Sequence, residues 1–588
     1  MGRRVVNRAA RAMPRAPGLL LPGLLLLGLL PLALAVYFFF AAPAARRKIS
    51  GAGLEAPAST VPQGHVYTGL CERPDSINPF TTRSSAARRY VLGLTHETLV
   101  DTDPSDGSLR PVLARSWEVL DRGRELVFEL REGVRFADGT PCTPDDVLFT
   151  WQVAKAHGAL LGSMADGMSL VRAAEITGGS PARLRVRLRE PHFDALRAVG
   201  ESWIVTRREW FEARVAELAR EAGRPLPAGI ADPAFGSWLS SIRAESGPGT
   251  GPYMLAFDEE GVSRWRGDLE LLLVRNPLSW RKAAFPDCWN FEGIRLLFPT
   301  DPTQAWTMFR QRRLDWFPDL DLSQELSNDP SLAEDYRRVL YDNPLYGPVV
   351  MHWNLRRLPD QRVRRALGML FDRRTIAEKY YGGAAVPAAA VFRRESGCVP
   401  EDLEPLPFDP QAARRLLREA GRAPESGRAL SLRILCPSGA PVLPRICTAF
   451  AAEAKNAGIL VDVQQLAFAA IAALQKDGDW DGFLVRRDFR THADPFELLH
   501  RNGGANIMGF ADPEADGLLE RARRELDEPR RKQIFRAWCR RIDEMQPVSF
   551  LVFQQSALWI NSHLHEARPG PLGIWAERLW VDPEHQRR

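Results

Sequence analysis

The sequence predicts an α/β protein of more than one domain, placed behind an apolar N-terminal segment. Apolar runs of strand length alternate with helical patterns over several hundred residues. The 588 residues exceed what one hydrophobic core normally holds. Residues 18–42 form an uncharged apolar run that follows a basic stretch. These three observations define a segment near the membrane and a large folded body.

The composition is that of an ordinary globular protein. Hydrophobic residues make up 45% of the chain and charged residues 26%, which excludes a disordered or collagen-like chain. The net charge of +5 is small for this length and is spread widely. We therefore expect no nucleic-acid partner.

The N-terminal segment predicts attachment to a membrane. Residues 1–17 are basic and are expected in the cytoplasm, and residues 18–42 are long enough to cross a bilayer as a helix. Small residues near Ala42 leave cleavage as a signal peptide open. Residues 43–64 are rich in Gly, Ala and Pro and predict a linker. The folded body is expected on the periplasmic or extracytoplasmic face, anchored in the cytoplasmic membrane.

The seven cysteines form no CxxC pair, which argues against zinc-ribbon and thioredoxin-like sites. One or two disulfides are compatible with an oxidising compartment, and the sequence does not choose the pairs. We expect no metal and no cofactor. No nucleophile motif is present, so we expect no enzymatic activity and no catalytic residue.

Helix starts in the body are marked by capping residues. Thr143 is predicted as an N-cap, followed by Pro144 and two aspartates that complement the helix dipole. The same pattern predicts helices that begin at Asp360, Asp372, Asp409-Pro410, Asp512-Pro513 and Glu528-Pro529. Short apolar runs predict strands over 125–130, 432–435, 461–463 and 550–553.

Four groups of motifs follow one another along the chain. They are Leu113-Ala114-Arg115-Ser116-Trp117 with 130–141 and Thr143–Val147; Gly249–Tyr253 with Arg275-Asn276-Pro277 and Trp280; Asn354 with Arg362–Leu367 and Asp372-Arg373; and Phe408-Asp409-Pro410 through Gly421. In this order they resemble the family 5 extracellular solute-binding proteins, the oligopeptide- and dipeptide-binding proteins of ABC importers. The resemblance covers roughly residues 65–588.

The resemblance implies a two-lobed periplasmic-binding-protein-like fold of type II, with an extra inserted subdomain, here preceded by an N-terminal transmembrane helix. It implies that the first lobe contains 65–110, 248–344 and 545–588, that the inserted subdomain is 111–247, and that the second lobe is 345–544.

The resemblance also implies ligand-binding residues. Asp488 resembles the family's amine-binding aspartate, and a carboxylate is what a buried ligand ammonium requires. Val485 replaces the usual tryptophan three residues earlier. Arg487, beside the aspartate, either neutralises it or attracts a ligand carboxylate. Glu72 lies in a loop that corresponds to one entering the cleft, where it either faces ligand or is exposed. Asn354 lies at the expected passage into the second lobe, where it either contacts ligand or holds the turn.

The function implied is capture of oligopeptide-like ligands between two lobes that close, followed by delivery to an ABC importer. The expected partners are a peptide or small solute, the permease, and the membrane through the N-terminal helix, with the protein itself a monomer. The alternative is a membrane-anchored sensor or scaffold of the same fold that binds a non-peptide solute.

Overall fold

The computed structural model describes residues 63–586 with short gaps, at 163, 258–262, 267–268, 300–301, 319–329, 344–345, 424, 426, 439–441, 489–493, 571–573 and 575. The predicted anchor at residues 18–42 and the linker before residue 63 lie outside the described residues. Within the described part of the chain, no helix has both the length and the apolar character needed to span a membrane.

The strands follow one another along the whole described body. In chain order they are β1 Gln63–Leu70, β2 Val100–Thr102, β3 Leu109–Pro111, β4 Ala114–Leu120, β5 Glu125–Leu130, β6 Val171–Thr177, β7 Arg183–Leu188, β8 Tyr253–Leu255, β9 Trp265–Arg266, β10 Glu270–Arg275, β11 Phe291–Leu297, β12 Trp316–Pro318, β13 Tyr336–Tyr341, β14 Tyr346–Trp353, β15 Ala385–Pro387, β16 Ser431–Pro437, β17 Leu460–Leu466, β18 Gly482–Asp488, β19 Val548–Gln554, β20 Ser556–Asn561, β21 Leu564–His565 and β22 Trp580–Val581.

The helices lie mostly between these strands. In chain order they are α1 Gly93–Thr95, α2 Pro144–His157, α3 Ala165–Ser169, α4 Ala195–Ser202, α5 Arg208–Glu221, α6 Pro233–Ser241, α7 Trp280–Ala284, α8 Pro302–Arg310, α9 Leu332–Asp335, α10 Gln361–Gly368, α11 Arg373–Thr375, α12 Pro410–Glu419, α13 Val442–Asn456, α14 Phe468–Asp477, α15 Phe496–Leu499, α16 Pro513–Arg524 and α17 Glu528–Met545.

Three larger sheets organise these elements. The first has eight strands in the order β13-β20-β12-β1-β11-β10-β8, with β9 paired to β10. The second has six strands in the order β15-β19-β14-β18-β16-β17. The insert sheet, β4-β5-β7-β6, has four strands and lies within residues 111–247. The α/β prediction is confirmed.

The second sheet is buried on both faces. Along β14, Val349 and Met351 belong to one hydrophobic core, whereas Val350, between them, belongs to the core on the other face. Along β18, Leu484 and Val485 divide in the same way. Because both faces are covered, these central strands are continuous apolar runs rather than alternating ones.

The predicted helix starts are confirmed where a side chain caps the first turn. The Thr143 hydroxyl accepts from the Asp146 backbone N–H, and the Asp146 carboxylate accepts from the Thr143 N–H, which makes a complete capping box. Asp409 and Asp512 cap α12 and α16 in a similar way. The cap of α17 is Asp527, one residue before the predicted start, because its carboxylate accepts from the Arg530 N–H.

Two buried arginines explain part of the third motif group. Arg364 donates to the carbonyl oxygens of Met545 and Gln546 at the end of α17, and Arg373 donates to the Phe550 oxygen on β19. Burial lowers the pKa of each guanidinium to about 10. Each arginine therefore supplies donors to buried or partly buried backbone carbonyl oxygens of the second lobe.

One predicted boundary is wrong. Residues 545–588 are predicted to lie in the first lobe, but β19 pairs with β14 on one side and β15 on the other, inside the second sheet. The chain returns to the first sheet only at β20. An apolar run shows that a strand forms, but the sheet that receives it is decided by distant partners.

Candidate ligand-binding cleft

The chain passes between the first and second sheets twice, at adjacent points. It leaves the first sheet after Tyr341 and enters the second at Tyr346. It returns through Gln555, between β19 and β20. The Gln555 side-chain amide donates to Asp342 Oδ2 at 3.3 Å, which joins the two crossings. Two short crossings side by side allow rotation of one sheet against the other about this line.

An arginine clamps both crossings. Arg393 donates from Nη1 to Asp342 Oδ1 at 3.0 Å on the first crossing and from Nη2 to the Gln554 carbonyl oxygen at 3.2 Å on the second. Its guanidinium also lies over the Phe553 ring, 4.8 Å from the centroid. Neither Arg393 nor Asp342 was predicted from the sequence, because the contact joins residues 51 positions apart and belongs to no motif.

The carboxyl ends of the parallel strands of the first sheet lie on the side of the crossings. β1 is parallel to both β11 and β12, and β20 runs antiparallel to β12. Pro318, the last residue of β12, pairs with Leu558, two residues from the start of β20 at the crossing. The carboxyl ends of β1 and β12 are therefore at the crossing edge.

A buried aspartate fixes the relative position of β1 and β12. Asp315 Oδ2 accepts from the Thr68 N–H at 2.7 Å and lies 3.1 Å from His65 Nε2, while the Asp315 N–H donates to the Thr68 carbonyl oxygen. Next to it the Trp316 ring crosses β1 at Gly69, where a Cβ would lie 2.0 Å from the ring. The glycine is therefore required by this close approach.

The second sheet presents the same kind of edge to the crossings. β16 is parallel to β17 and β18, and β14 runs antiparallel to β18. The register pairs Tyr346, the first residue after the crossing, with Asp488, the last residue of β18. In open α/β sheets, ligands bind beyond the carboxyl ends of the strands. The two edges that meet at the crossings are therefore the candidate binding cleft.

The family is decided by a match over residues 108–509, more than half of the chain, to the sequence model of the bacterial extracellular solute-binding proteins, family 5 Middle. This chain belongs to family 5 of the bacterial extracellular solute-binding proteins. The predicted resemblance is confirmed.

Relatives and solved structures agree with this family. Di/tripeptide-binding protein 2 of Pseudomonas aeruginosa is 25% identical over 497 residues, which cover 78% of this chain and 85% of the relative. The oligopeptide-binding protein AppA of Bacillus subtilis, solved with a nonapeptide, has a TM-score of 0.69 at 18% identity, over 88% of this chain and 99% of AppA. NikZ of Campylobacter jejuni, solved with Ni(L-His), has a TM-score of 0.69 at 19% identity, over 88% of this chain and 98% of NikZ. The family 5 protein therefore has the two-lobed periplasmic-binding-protein fold, with one lobe built on each large sheet.

Asp488 and Arg487 lie at the cleft edge of the second lobe. Their backbone is the end of β18, opposite the first residue of β14, and their side chains lie outside the described residues. Burial raises the pKa of the Tyr381 phenol to about 12, and the positive charge of Arg486, one residue before Arg487, opposes that rise. The ligand roles of Asp488 and Arg487 stay predictions.

Glu72 lies at the cleft edge of the first lobe, two residues after the end of β1, and is exposed. Its charge adds to burial in raising the pKa of the neighbouring Cys71 thiol to about 12. All seven cysteines are among the described residues, and none forms a disulfide there.

The structure corrects the predicted ligand-binding role of Asn354. This residue follows Trp353, which pairs with Gly482 at the start of β18, so it lies at the end of β14 opposite the crossing. The eight residues of β14 separate these ends by about 25 Å. Asn354 is 4% exposed, donates to the Trp480 carbonyl oxygen at 2.9 Å and accepts from the Arg356 N–H at 3.2 Å. It holds a turn remote from the cleft and is not a ligand residue.

Proposed function

We propose that this family 5 protein captures peptide-like ligands in the cleft between its lobes and delivers them to an ABC importer. The observation that carries the proposal is the pair of strand edges that meet at the two crossings. A ligand between these edges is buried from water on both sides, and only the closed lobes contact both of its faces. Peptide-binding relatives, such as di/tripeptide-binding protein 2, support the ligand class.

Asp488 is proposed as the partner of the ligand ammonium. It ends β18 at the cleft edge, and an ammonium enclosed in a closed cleft requires a carboxylate, since an unpaired buried charge is costly. Arg487, beside it, is proposed to bind a carboxylate on the same ligand, because a guanidinium pairs with a carboxylate through two hydrogen bonds. Glu72 is proposed to meet the ligand from the first lobe.

The test uses the full chain and two probes, trialanine and N-acetyl-trialanine, measured by titration calorimetry. The wild type is expected to bind trialanine more tightly than the acetylated peptide. Asp488→Asn should remove that preference, with a loss of about 100-fold for trialanine, on the scale of a charge-assisted hydrogen bond. The matched control is Asp462→Asn, an exposed aspartate on the edge strand β17 of the same sheet. Equal losses for both peptides would refute the assigned role.

A non-peptide solute is the second candidate, because the same fold in NikZ holds Ni(L-His). Native mass spectrometry of the purified chain separates the two. A mixture of co-purified peptides supports peptide capture, whereas one recurrent non-peptide mass supports the specialised binder. We expect no turnover of added peptide in either case.

The site of action is proposed to be the extracytoplasmic face of the cytoplasmic membrane, with residues 18–42 as an uncleaved anchor. The uncharged apolar run is long enough to cross a bilayer. Deletion of residues 1–47 should release the protein from membranes that otherwise retain it after carbonate washing. An N-terminus that begins near residue 45 in the mature protein would show cleavage instead.

A further inference from the structure

The inserted subdomain is bound firmly to the first lobe. The Asn78 side-chain amide donates to two carbonyl oxygens of the insert, those of Leu239 and Ile242, at 2.9 and 3.0 Å. The Ala137 N–H donates to the Gly249 carbonyl oxygen at 2.9 Å. Phe80 and Leu99 of the first lobe are buried in the hydrophobic core of the insert. The insert and the first lobe therefore move together.

The insert also contacts the second lobe, through a loop just after its sheet. The Phe193 N–H donates to the carbonyl oxygen of Arg523 at 2.8 Å. The Phe193 ring packs edge-on against Phe535 at 6.2 Å, and the guanidinium of Arg531 lies over it at 4.7 Å. Phe193 thus reaches into a core that belongs to the second lobe.

An ionic cluster lies beside Phe193. Arg523 Nε and His192 Nε2 lie 3.0 and 3.6 Å from Asp494 Oδ2. The Asp194 N–H donates to His192 Nδ1, which fixes the ring proton on Nε2 and directs it toward Asp494. Arg523 Nε lies 3.2 Å from His192 Nε2 and 3.0 Å from Asp494 Oδ2, so its guanidinium contacts the ring and forms an ion pair with the carboxylate. Although burial opposes it, His192 and the positive charge of Arg523 hold the pKa of Asp494 below its usual value.

Exposed contacts surround this cluster. Arg524 forms an ion pair with Glu190 at 2.8 Å, and both side chains are about half-exposed. Gly123 lies on the hairpin between β4 and β5, and Leu526 of the second lobe packs against it. A Cβ at Gly123 would lie 2.6 Å from Leu526 Cδ1. Because the Arg524–Glu190 ion pair is exposed to water, it stabilises this contact between the insert and the second lobe less than the cluster of His192, Asp494 and Arg523 does.

We propose that His192, Phe193, Asp494 and Arg523 form a latch that holds the two lobes closed over the ligand without touching it. The insert moves with the first lobe, so rotation about the crossings separates Phe193 from Arg523. The latch therefore stabilises the closed state alone, and a ligand that binds only that state gains affinity from it. This inference rests on the proposed capture of a ligand between the lobes.

The test compares Arg523→Ala with Arg521→Ala, which removes an exposed arginine from the same helix, in the full chain. The first readout, hydrogen–deuterium exchange, needs no ligand. The segment containing the Phe193 amide should exchange about 10-fold faster in Arg523→Ala than in Arg521→Ala, with the insert strands unchanged. Equal exchange in the two variants overturns the latch.

The second readout is the dissociation rate of trialanine. We expect it to rise about 10-fold in Arg523→Ala and to change less than twofold in Arg521→Ala. Faster exchange at Phe193 with an unchanged dissociation rate overturns the role in capture. If the wild type does not bind trialanine, the proposed function fails, and the exchange comparison still decides whether the latch exists.

Discussion

Acidification is expected to destabilise the junction between the first lobe and the insert through one buried histidine. His96 is 4% exposed. Its Nε2 donates to the Ser246 carbonyl oxygen at 2.9 Å, and its Nδ1 lies 2.9 Å from the Thr95 hydroxyl. Burial lowers the pKa of the ring from 6.5 to about 4, although the bond to Ser246 opposes this shift. The folded protein therefore favours the neutral ring.

The direction and size of the change in stability with pH follow from this lowered pKa. Because the folded pKa lies below the unfolded one, the neutral ring contributes its full stability above pH 6.5 and loses it as the pH falls toward 4. A shift of this size corresponds to about 3 kcal/mol, of which about 2.5 kcal/mol is lost between pH 7.5 and 4.5. Rotation of the Thr95 hydroxyl toward the Val91 carbonyl oxygen, 3.0 Å away, recovers part of this loss in the protonated state.

The measurement is urea unfolding followed by tryptophan fluorescence at pH 7.5 and 4.5. His96→Gln retains a donor for Ser246 and cannot be protonated, so its loss of stability over this range should be about 2 kcal/mol smaller than that of the wild type. His565→Gln, which changes a partly exposed histidine paired with Asp582, is the matched control. If wild type and His96→Gln lose the same stability within about 0.5 kcal/mol, the assignment to His96 is wrong.

Two further predictions concern the cleft edge and the corrected residue. Gly69→Ala should destabilise the protein by about 2 kcal/mol and change its tryptophan emission, because the new methyl group meets the Trp316 ring. Gly158→Ala, where a Cβ has no neighbour within 4 Å, should change the free energy of unfolding by less than about 1 kcal/mol. Asn354→Ala should cost about 2 kcal/mol by removing its bonds to the turn, with trialanine affinity unchanged. A weaker affinity at constant stability would return Asn354 to the ligand site.

Local features of the fold could be predicted from the sequence because their causes are local. The capping box of Thr143 and the proline after it specify a helix start within a few residues. The apolar run 550–553 specifies a strand, and the structure extends it to Val548–Gln554. Neither signal contains the identity of the partner strands, so β19 was assigned to the wrong lobe.

The candidate site was predictable only in part. Asp488 is at the cleft edge because β18 ends there, whereas Asn354 is at the far end of the neighbouring strand. A motif gives the position along the chain, but not the end of the sheet at which it lies. Contacts such as that between His192 and Arg523, 331 positions apart, have no sequence pattern at all.

The position of β19 also has a consequence for biosynthesis. This strand lies inside the second sheet, between β15 and β14, yet it is synthesised after all the other strands of that sheet. The second sheet therefore cannot be completed until β19 has left the ribosome. Until then β14 and β15 lack the strand that pairs with both of them, so the second lobe is expected to resist proteases only after β19 has been added.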